Sequence, residues 1–519
     1  MKALYIHLHD ETDELPSTFQ AAWLNNLQLA QLSITEKINA TYLYTVESGS
    51  YDIVFVSQNI VRLASRPALR NWLRVLRPKG RLFLLGKMDD FLESCLVYIA
   101  PLSEDVDFAS PNFVCVRKKA FVPPLLTLMK QAAIAQSQNS HAEALLLLQL
   151  VLLAYPDEIV GHQFLALYYE RMNWLPQAIE IQNISAQQFP NNLMAQLGRL
   201  LTYLAHGDYA RGFQLRDEYC RRYLPKMRRC HAYPAPPDAF DALYWCGENL
   251  AGKTFVVWSE FGLGDEIMFT QLAHYLKHVA KVGKLIWVVQ PPIVSLVQTH
   301  ADIDEVVSAK VAADVVAHLD YWAFPHDLLV HFRQPFETIP KTMPYLSANV
   351  DKVRHFAALT RSEKKCKVGL AWRGDPNHEN DAYRSVHQVA MLNVLVDGMD
   401  DVQFYCVQKE LNERERAWLA EKGIPHLGDE LGDFADTAAL LANMDKVISV
   451  DTSIVHVAGA LNLPTFVLLP YVYDWRWGVP LSRNLWYPNT RKFQLSYPSA
   501  PWYEALVAVR QALRDELDS

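Results

Sequence analysis

No two cysteines of this 519-residue chain stand in a C-x-x-C spacing. The seven present, Cys95, Cys115, Cys220, Cys230, Cys246, Cys366 and Cys406, are scattered. They give neither a disulfide framework nor a zinc-type spacing, and they suit a reducing compartment. The longest apolar run, ALLLLQLVLLAY, falls short of the roughly 20 residues that span a bilayer. The start, MKALYIHLHDETDEL, turns acidic early and lacks the apolar core of a signal peptide. A cytoplasmic protein without a membrane span is expected. Positive charge is also in deficit, with 49 Lys and Arg against 57 Asp and Glu and a net charge of −8. That balance argues against a general nucleic-acid binder. What remains is ordinary for a globular protein, 50% hydrophobic and 20% charged, in a chain long enough for two to four domains.

Three patterns follow one another. Residues 1–122 read as a small α/β region: ALYIHL, YDIVFVS and FVCVRKK are strands, and LRNWLRVLRPKGRLFLLG is a helix, a Pro-Lys-Gly turn and a strand. Residues 123–234 are helical and repetitive. Ala144, Ala178 and Gly212 recur every 34 residues, as do Pro156 and Pro190, with Pro225 one residue late. GDYARGF reads as the turn and second helix of a third copy. A basic run then carries Arg221, Arg222, Lys226, Arg228 and Arg229 into a proline-rich break; it reads as a solvated helix end, with a face for an acidic ligand as the alternative. From Ala235, TFVVWSE, KLIWVVQ, DEVVSA and LDYWAF supply one parallel sheet, with a helix from Asp265 to Val279 after the first strand. KVGLAW, DVQFYCVQ, KVISVD and PTFVLLP supply a second. Two Rossmann-like halves, 235–350 and 351–519, are expected to face across a cleft, with the amphipathic helix WYEALVAVRQALRDEL packing back onto the first.

Four strand ends carry the chemistry. After TFVVW, Gly262 and Gly264 flank Leu263, and Asp265 opens a helix where it can serve as a general base or merely cap. After KVGLAW come Trp372, Arg373 and Gly374, then Arg384, whose fork suits phosphate. After DVQFYCV, Gln408 precedes Lys409, a cation able to neutralise a diphosphate. Finally Phe434, Asp436 and Thr437 open one helix, and Asp451, Thr452, Ser453 and His456 form a turn and helix start after KVISV. Free N–H groups and the helix dipole there favour an anion. No DxD pair stands in these loops.

FGLGDEIMF, VGLAWRGDPNHENDAYRS, DFADTAALLANMDKVISVDTSIVHVAGAL and PYVYDWRW together resemble the transferase domain of bacterial tetratricopeptide-repeat glycosyltransferases. These are similar to the family 9 heptosyltransferases and, more distantly, to O-linked N-acetylglucosamine transferases. The resemblance implies a GT-B double Rossmann fold preceded by a helical repeat solenoid. It also implies inverting, metal-independent sugar transfer and no cofactor beyond a nucleotide-sugar substrate, UDP-linked sugars being favoured. By motif, Asp265 resembles the base and Lys409 the phosphate-neutralising lysine. Trp372, Arg373, Gly374, Arg384, Gln408, Phe434, Asp436, Thr437, Asp451, Thr452, Ser453 and His456 fall in the donor site; Gly262, Leu263 and Gly264 form the acceptor-side loop. The implied acceptor is a protein hydroxyl, as in flagellin or an adhesin, presented by the repeats. The competing expectation is a repeat adaptor whose transferase fold is inert. The region 1–122 resembles the second half of a class I methyltransferase. Its first glycine is Gly49, so the cofactor loop is missing and a non-catalytic remnant is expected.

Overall fold

Continuous β-branched runs form strands when both faces of a sheet are covered, and the computed structural model builds three sheets from such runs. It describes residues 124–155, 157–227, 233, 235–332, 339, 342–376, 378, 380–478, 484–498 and 500–518, together with residue 72 and six strands before 119. Two compact units emerge: 1–169 with 176–195, and 170–175 with 196–519.

In the first unit, strands β1 (Lys2–Leu8), β2 (Gln28–Ile34), β3 (Tyr51–Val56), β4 (Leu76–Leu85), β5 (Ser103–Ser110) and β6 (Phe113–Lys118) form one sheet in the order β2-β1-β3-β4-β6-β5. The first four are parallel and the last two antiparallel. The Pro-Lys-Gly sequence is not a turn, as expected, but lies inside β4. The register against β3 jumps there from Tyr51↔Leu76 to Ile53↔Arg81, so the proline and glycine are absorbed as a bulge. The helix expected before β4, Pro156, Arg228 and Arg229 lie outside the described residues.

Six helices follow: α1 (Leu125–Ser137), α2 (His141–Ala154), α3 (Ile159–Arg171), α4 (Leu175–Gln188), α5 (Leu193–Ala205) and α6 (Tyr209–Met227). Their starts at 125, 159 and 193, and at 141, 175 and 209, advance by the same 34 residues. Ala144 and Ala178 are fully buried, and a Cβ on Gly212 would lie 2.4 Å from Leu204 Cδ2, so α5 and α6 meet where no side chain fits. Pro225 does not end its helix, since α6 runs through it to Met227. The division between units falls inside this helical stretch. Within the second unit, α6 is held to the first parallel sheet by a buried ion cluster. Arg216 of α6 donates to Asp327 (2.7 Å) and Glu260 (2.6 Å), while Tyr244 and His326 complete the two carboxylates.

The second unit contains the two parallel sheets. β7 (Thr254–Val257), β8 (Lys284–Val289), β9 (Glu305–Ser308) and β10 (Tyr321–Ala323) take the order β10-β7-β8-β9. β11 (Cys366–Ala371), β12 (Val402–Cys406), β13 (Lys446–Val450), β14 (Thr465–Leu469) and β15 (Thr490–Gln494) take the order β12-β11-β13-β14-β15. Strand order reverses beside β7 in one sheet and beside β11 in the other, which places ligand-type crevices at their carboxyl ends. The C-terminal helix, residues Trp502–Leu517, does not return to the first sheet. Its Trp502, Leu506, Val509 and Leu513 are buried in the core of the second sheet with Val368, Leu370 and Phe466. Its apolar face finds a match close at hand. Among the described residues no helix is long and apolar enough to cross a membrane.

Candidate active site

Helix α7 (Leu263–Phe269) leaves the carboxyl end of β7 and meets α8 (Ser453–Ala460), which leaves the carboxyl end of β13. Their contact requires glycine. A Cβ on Gly264 would lie 2.6 Å from His456 Cδ2, so the backbone of one half sits directly on the imidazole of the other. That imidazole is sealed. It stacks on Trp477 with ring centroids 5.7 Å apart, and its Nδ1 lies 2.9 Å from the Tyr487 hydroxyl. Burial, helped by the nearby Arg476 guanidinium, pushes the His456 pKa down to about 4. The ring is neutral at ordinary pH and joins the halves.

Around this joint the charged groups converge. Asp265 occupies the third position of α7, where its Oδ2 accepts the N–H of Gly262 at 3.1 Å. Its Oδ1 pairs with Arg476, whose other amino group lies 3.1 Å from Asp474. Asp474 in turn caps the single turn Trp475–Trp477 by accepting the Arg476 N–H at 3.0 Å. Burial opposes the Arg476 charge, yet Asp265, Asp474 and Asp451 outweigh it and hold the guanidinium protonated. Asp451 Oδ1 lies 3.9 Å from His456 Nε2, so the carboxylates from the two halves both flank the Arg476–His456 joint. Thr452 precedes α8 in extended conformation and caps nothing with its side chain. Its hydroxyl lies 3.3 Å from Ser449 Oγ, and the first-turn N–H groups from Ser453 onward open at the carboxyl end of β13. Trp475 is buried, and its ring centroid lies 6.2 Å from Tyr209 and 6.0 Å from Phe213 of α6.

The loop entering α7 is itself constrained. Phe261 takes a left-handed φ of +63°, unusual for a bulky residue, and its carbonyl accepts from Gln290 Nε2 at 3.0 Å. Gly262 is exposed and Leu263 half-buried. Next to Asp265, Glu266 is buried and accepts from Ser259 and from the Gln290 N–H; burial pushes its pKa up to about 7.

The other predicted residues divide. Trp372 cannot frame a ligand: it is fully buried, donates to Glu415 at 3.0 Å and packs edge-on to Trp418. Arg373 spends its fork on the same Glu415 through two 3.0 Å bonds. Gln408 is also committed, its Oε1 accepting the Arg373 N–H at 3.0 Å and its Nε2 donating to Glu410 at 2.8 Å. These three tie the loops after β11 and β12 together. Asp436 is occupied by Lys352 (2.6 Å) and by the Gly432 N–H (2.9 Å), and Thr437 is buried against its own helix. Phe434 is half-buried at the start of that helix.

Arg384 lies over Gly374, where a Cβ would fall 2.7 Å from its Nη2; its Nε has no hydrogen-bond partner and Asp381 is 3.9 Å away. Lys409 is exposed, with only a 3.5 Å contact to the Gly432 carbonyl. It lies two strands from Asp451 on the same carboxyl edge, roughly 10 Å by strand spacing. Arg476, Asp474 and Tyr487 were not singled out from sequence. The signal was the charged, aromatic DWRW just past β14. Among the described residues the one group of metal-ligand type is His274, His278 and Asp302, at the far end of the helical stretch begun by α7.

No family model matches the chain. It is 27% identical over 348 residues to Protein FlbA of Caulobacter vibrioides, a match covering 62% of this chain and 55% of that protein. The chain thus spans about half the length of the curated relative. Among solved structures it is similar to a glycosyl transferase family 9 protein from Veillonella parvula, with 11% identity, 48% of this chain and 87% of that one covered, and a TM-score of 0.37. The Escherichia coli ADP-heptose heptosyltransferase II gives 13%, 51%, 99% and 0.36 in the same order. The O-GlcNAc transferase of Thermobaculum terrenum, as a K341M mutant, gives 10%, 76%, 92% and 0.27. At such scores the fold rests on the strand orders above and not on these likenesses.

Proposed function

We propose that the chain is a GT-B-type glycosyltransferase that moves a sugar, with inversion and without a metal, from a nucleotide-sugar donor to an acceptor hydroxyl. The observation that carries this reading is the junction of halves at Gly264 and His456, which gathers Asp265, Arg476, Asp451 and the start of α8 at one crevice. Asp265 accepts the proton of the acceptor hydroxyl. The oxygen attacks the anomeric carbon from the face opposite the diphosphate, and the bond from that carbon to the diphosphate oxygen breaks. Lys409 and the N–H groups at Thr452 and Ser453 stabilise the charge of the departing nucleoside diphosphate. Arg476 and the Gly262 N–H hold the two oxygens of Asp265, so the base is oriented before the acceptor arrives.

In this reading UDP-sugars are the favoured donors, and helices α1 to α6 form a tetratricopeptide-type array that presents Ser or Thr of a protein such as flagellin or an adhesin. The sheet of β1 to β6 is a methyltransferase-like remnant, and the setting is cytoplasmic. Nucleotide release by the full chain, followed across UDP-, GDP-, ADP- and CMP-sugars, tests it. Asp265→Asn should lose ~100-fold or more of the rate while melting like wild type. Retained activity in both Asp265→Ala and Lys409→Ala sinks the mechanism. A chain that binds no nucleotide by calorimetry is instead an adaptor.

A further inference from the structure

The amino-terminal edge of the first parallel sheet, opposite the crevice, carries a second set of converging side chains. The helical stretch begun by α7 closes with Ala273–His278, where His274 and His278 lie one turn apart on one face. The turn before β9 supplies Asp302. His274 Nδ1 lies 3.0 Å from Asp302 Oδ2 and His278 Nε2 lies 2.7 Å from Asp302 Oδ1. The two rings are 4.4 Å apart, and all three ligand atoms lie within 4.8 Å of one another. We propose that His274, His278 and Asp302 bind a divalent late first-row transition ion, zinc above all, with water in the remaining position.

The chemistry of the set fits. Two imidazoles and one carboxylate are the borderline nitrogen and oxygen donors that zinc takes, at about 2.0–2.2 Å. In a tetrahedron of that size neighbouring donors stand about 3.4 Å apart. The two imidazoles each approach a different oxygen of Asp302, and their 3.0 and 2.7 Å contacts would open by about 0.4 and 0.7 Å to reach that spacing. Asp302 is held for the purpose, because its N–H donates to the buried His300 ring at 3.1 Å. The one adjacent lysine, Lys277, is turned to Asp304 at 2.8 Å, so its charge is already matched. His278 is exposed, which leaves a coordination position on the solvent side. A bound ion would take the place of the two imidazole–carboxylate contacts and clamp the helix end to the turn before β9.

Cobalt(II) is the probe, titrated into the full chain after chelator treatment and then displaced with zinc. One equivalent should produce the visible bands of tetrahedral cobalt, and zinc should raise the melting temperature. His278→Ala and Asp302→Asn should each weaken cobalt binding at least ~10-fold, as loss of a ligand costs no less than loss of its supporting partner. Both should stay folded and melt within a few degrees of the metal-free wild type, since these half-covered pairs still reach water. Equal cobalt uptake by wild type and both variants overturns the proposal, as does a wild type that takes up none. Neither result depends on sugar transfer.

Discussion

The second unit contains two arginines, each set between two carboxylates, and they differ in what surrounds them. Arg216 pairs with Glu260 and Asp327 at side-chain exposures of 4%, 1% and 2%. Arg476 pairs with Asp265 and Asp474 at 20%, 13% and 34%. In the first cluster His326, Tyr244, Cys220 and the Phe324 N–H take up the remaining carboxylate valences. In the second, Arg476 Nε lacks a hydrogen-bond partner and Asp451 stands by as a third carboxylate. Like composition serves two ends. A sealed, fully bonded set fixes α6 to the first sheet, while a half-open, under-bonded one can exchange partners with a substrate.

Removing each arginine sharpens the contrast. Arg216→Leu strands two buried carboxylates and should cost ~3–5 kcal/mol in urea unfolding; a loss below ~1 kcal/mol would break the comparison. Glu266 is the intermediate case, a buried carboxyl with no arginine at all. Its folded pKa of about 7 lies above the unfolded value, so its contribution to stability is full below about 4.5 and is lost as pH rises through 7. Glu266→Gln lacks that loss. Its unfolding free energy should gain on wild type between pH 4.5 and 7 and then hold a constant lead of up to about 3 kcal/mol. A difference that does not change with pH rules out the raised pKa. Arg476→Gln should be the mildest in stability, within ~1–2 kcal/mol because its partners reach water. It should still lower transfer ~10- to 100-fold by releasing Asp265, with partial rescue by Arg476→Lys. A fall in unfolding energy as large as that of Arg216→Leu would make the two clusters alike.

Much of this arrangement was legible in the chain. The buried strands β7, β8, β11, β13 and β14 announce themselves because both faces are covered and their sequences are apolar throughout. β15, TRKFQ, carries charges along an edge and gives no such signal. The 34-residue helical period was visible because small residues recur where helices cross. Side-chain partnerships were not. Nothing local to Trp372-Arg373 says that Glu415, on the helix after β12, will occupy both. Nor does DWRW disclose that Arg476 will reach Asp265 in the other half, since that pairing exists only once the sheets are apposed. Position at a strand end can be read from sequence, whereas the valences left free there depend on contacts far along the chain.

At Gly264 the main chain of one half rests on the His456 ring of the other with no room for a methyl group. Pulling the halves straight apart would wet that ring and the Tyr487 hydroxyl behind it, both sealed from solvent. A relative movement of the halves that keeps this contact is a swivel about it, which leaves Asp265 and Asp451, both beside the joint, close together.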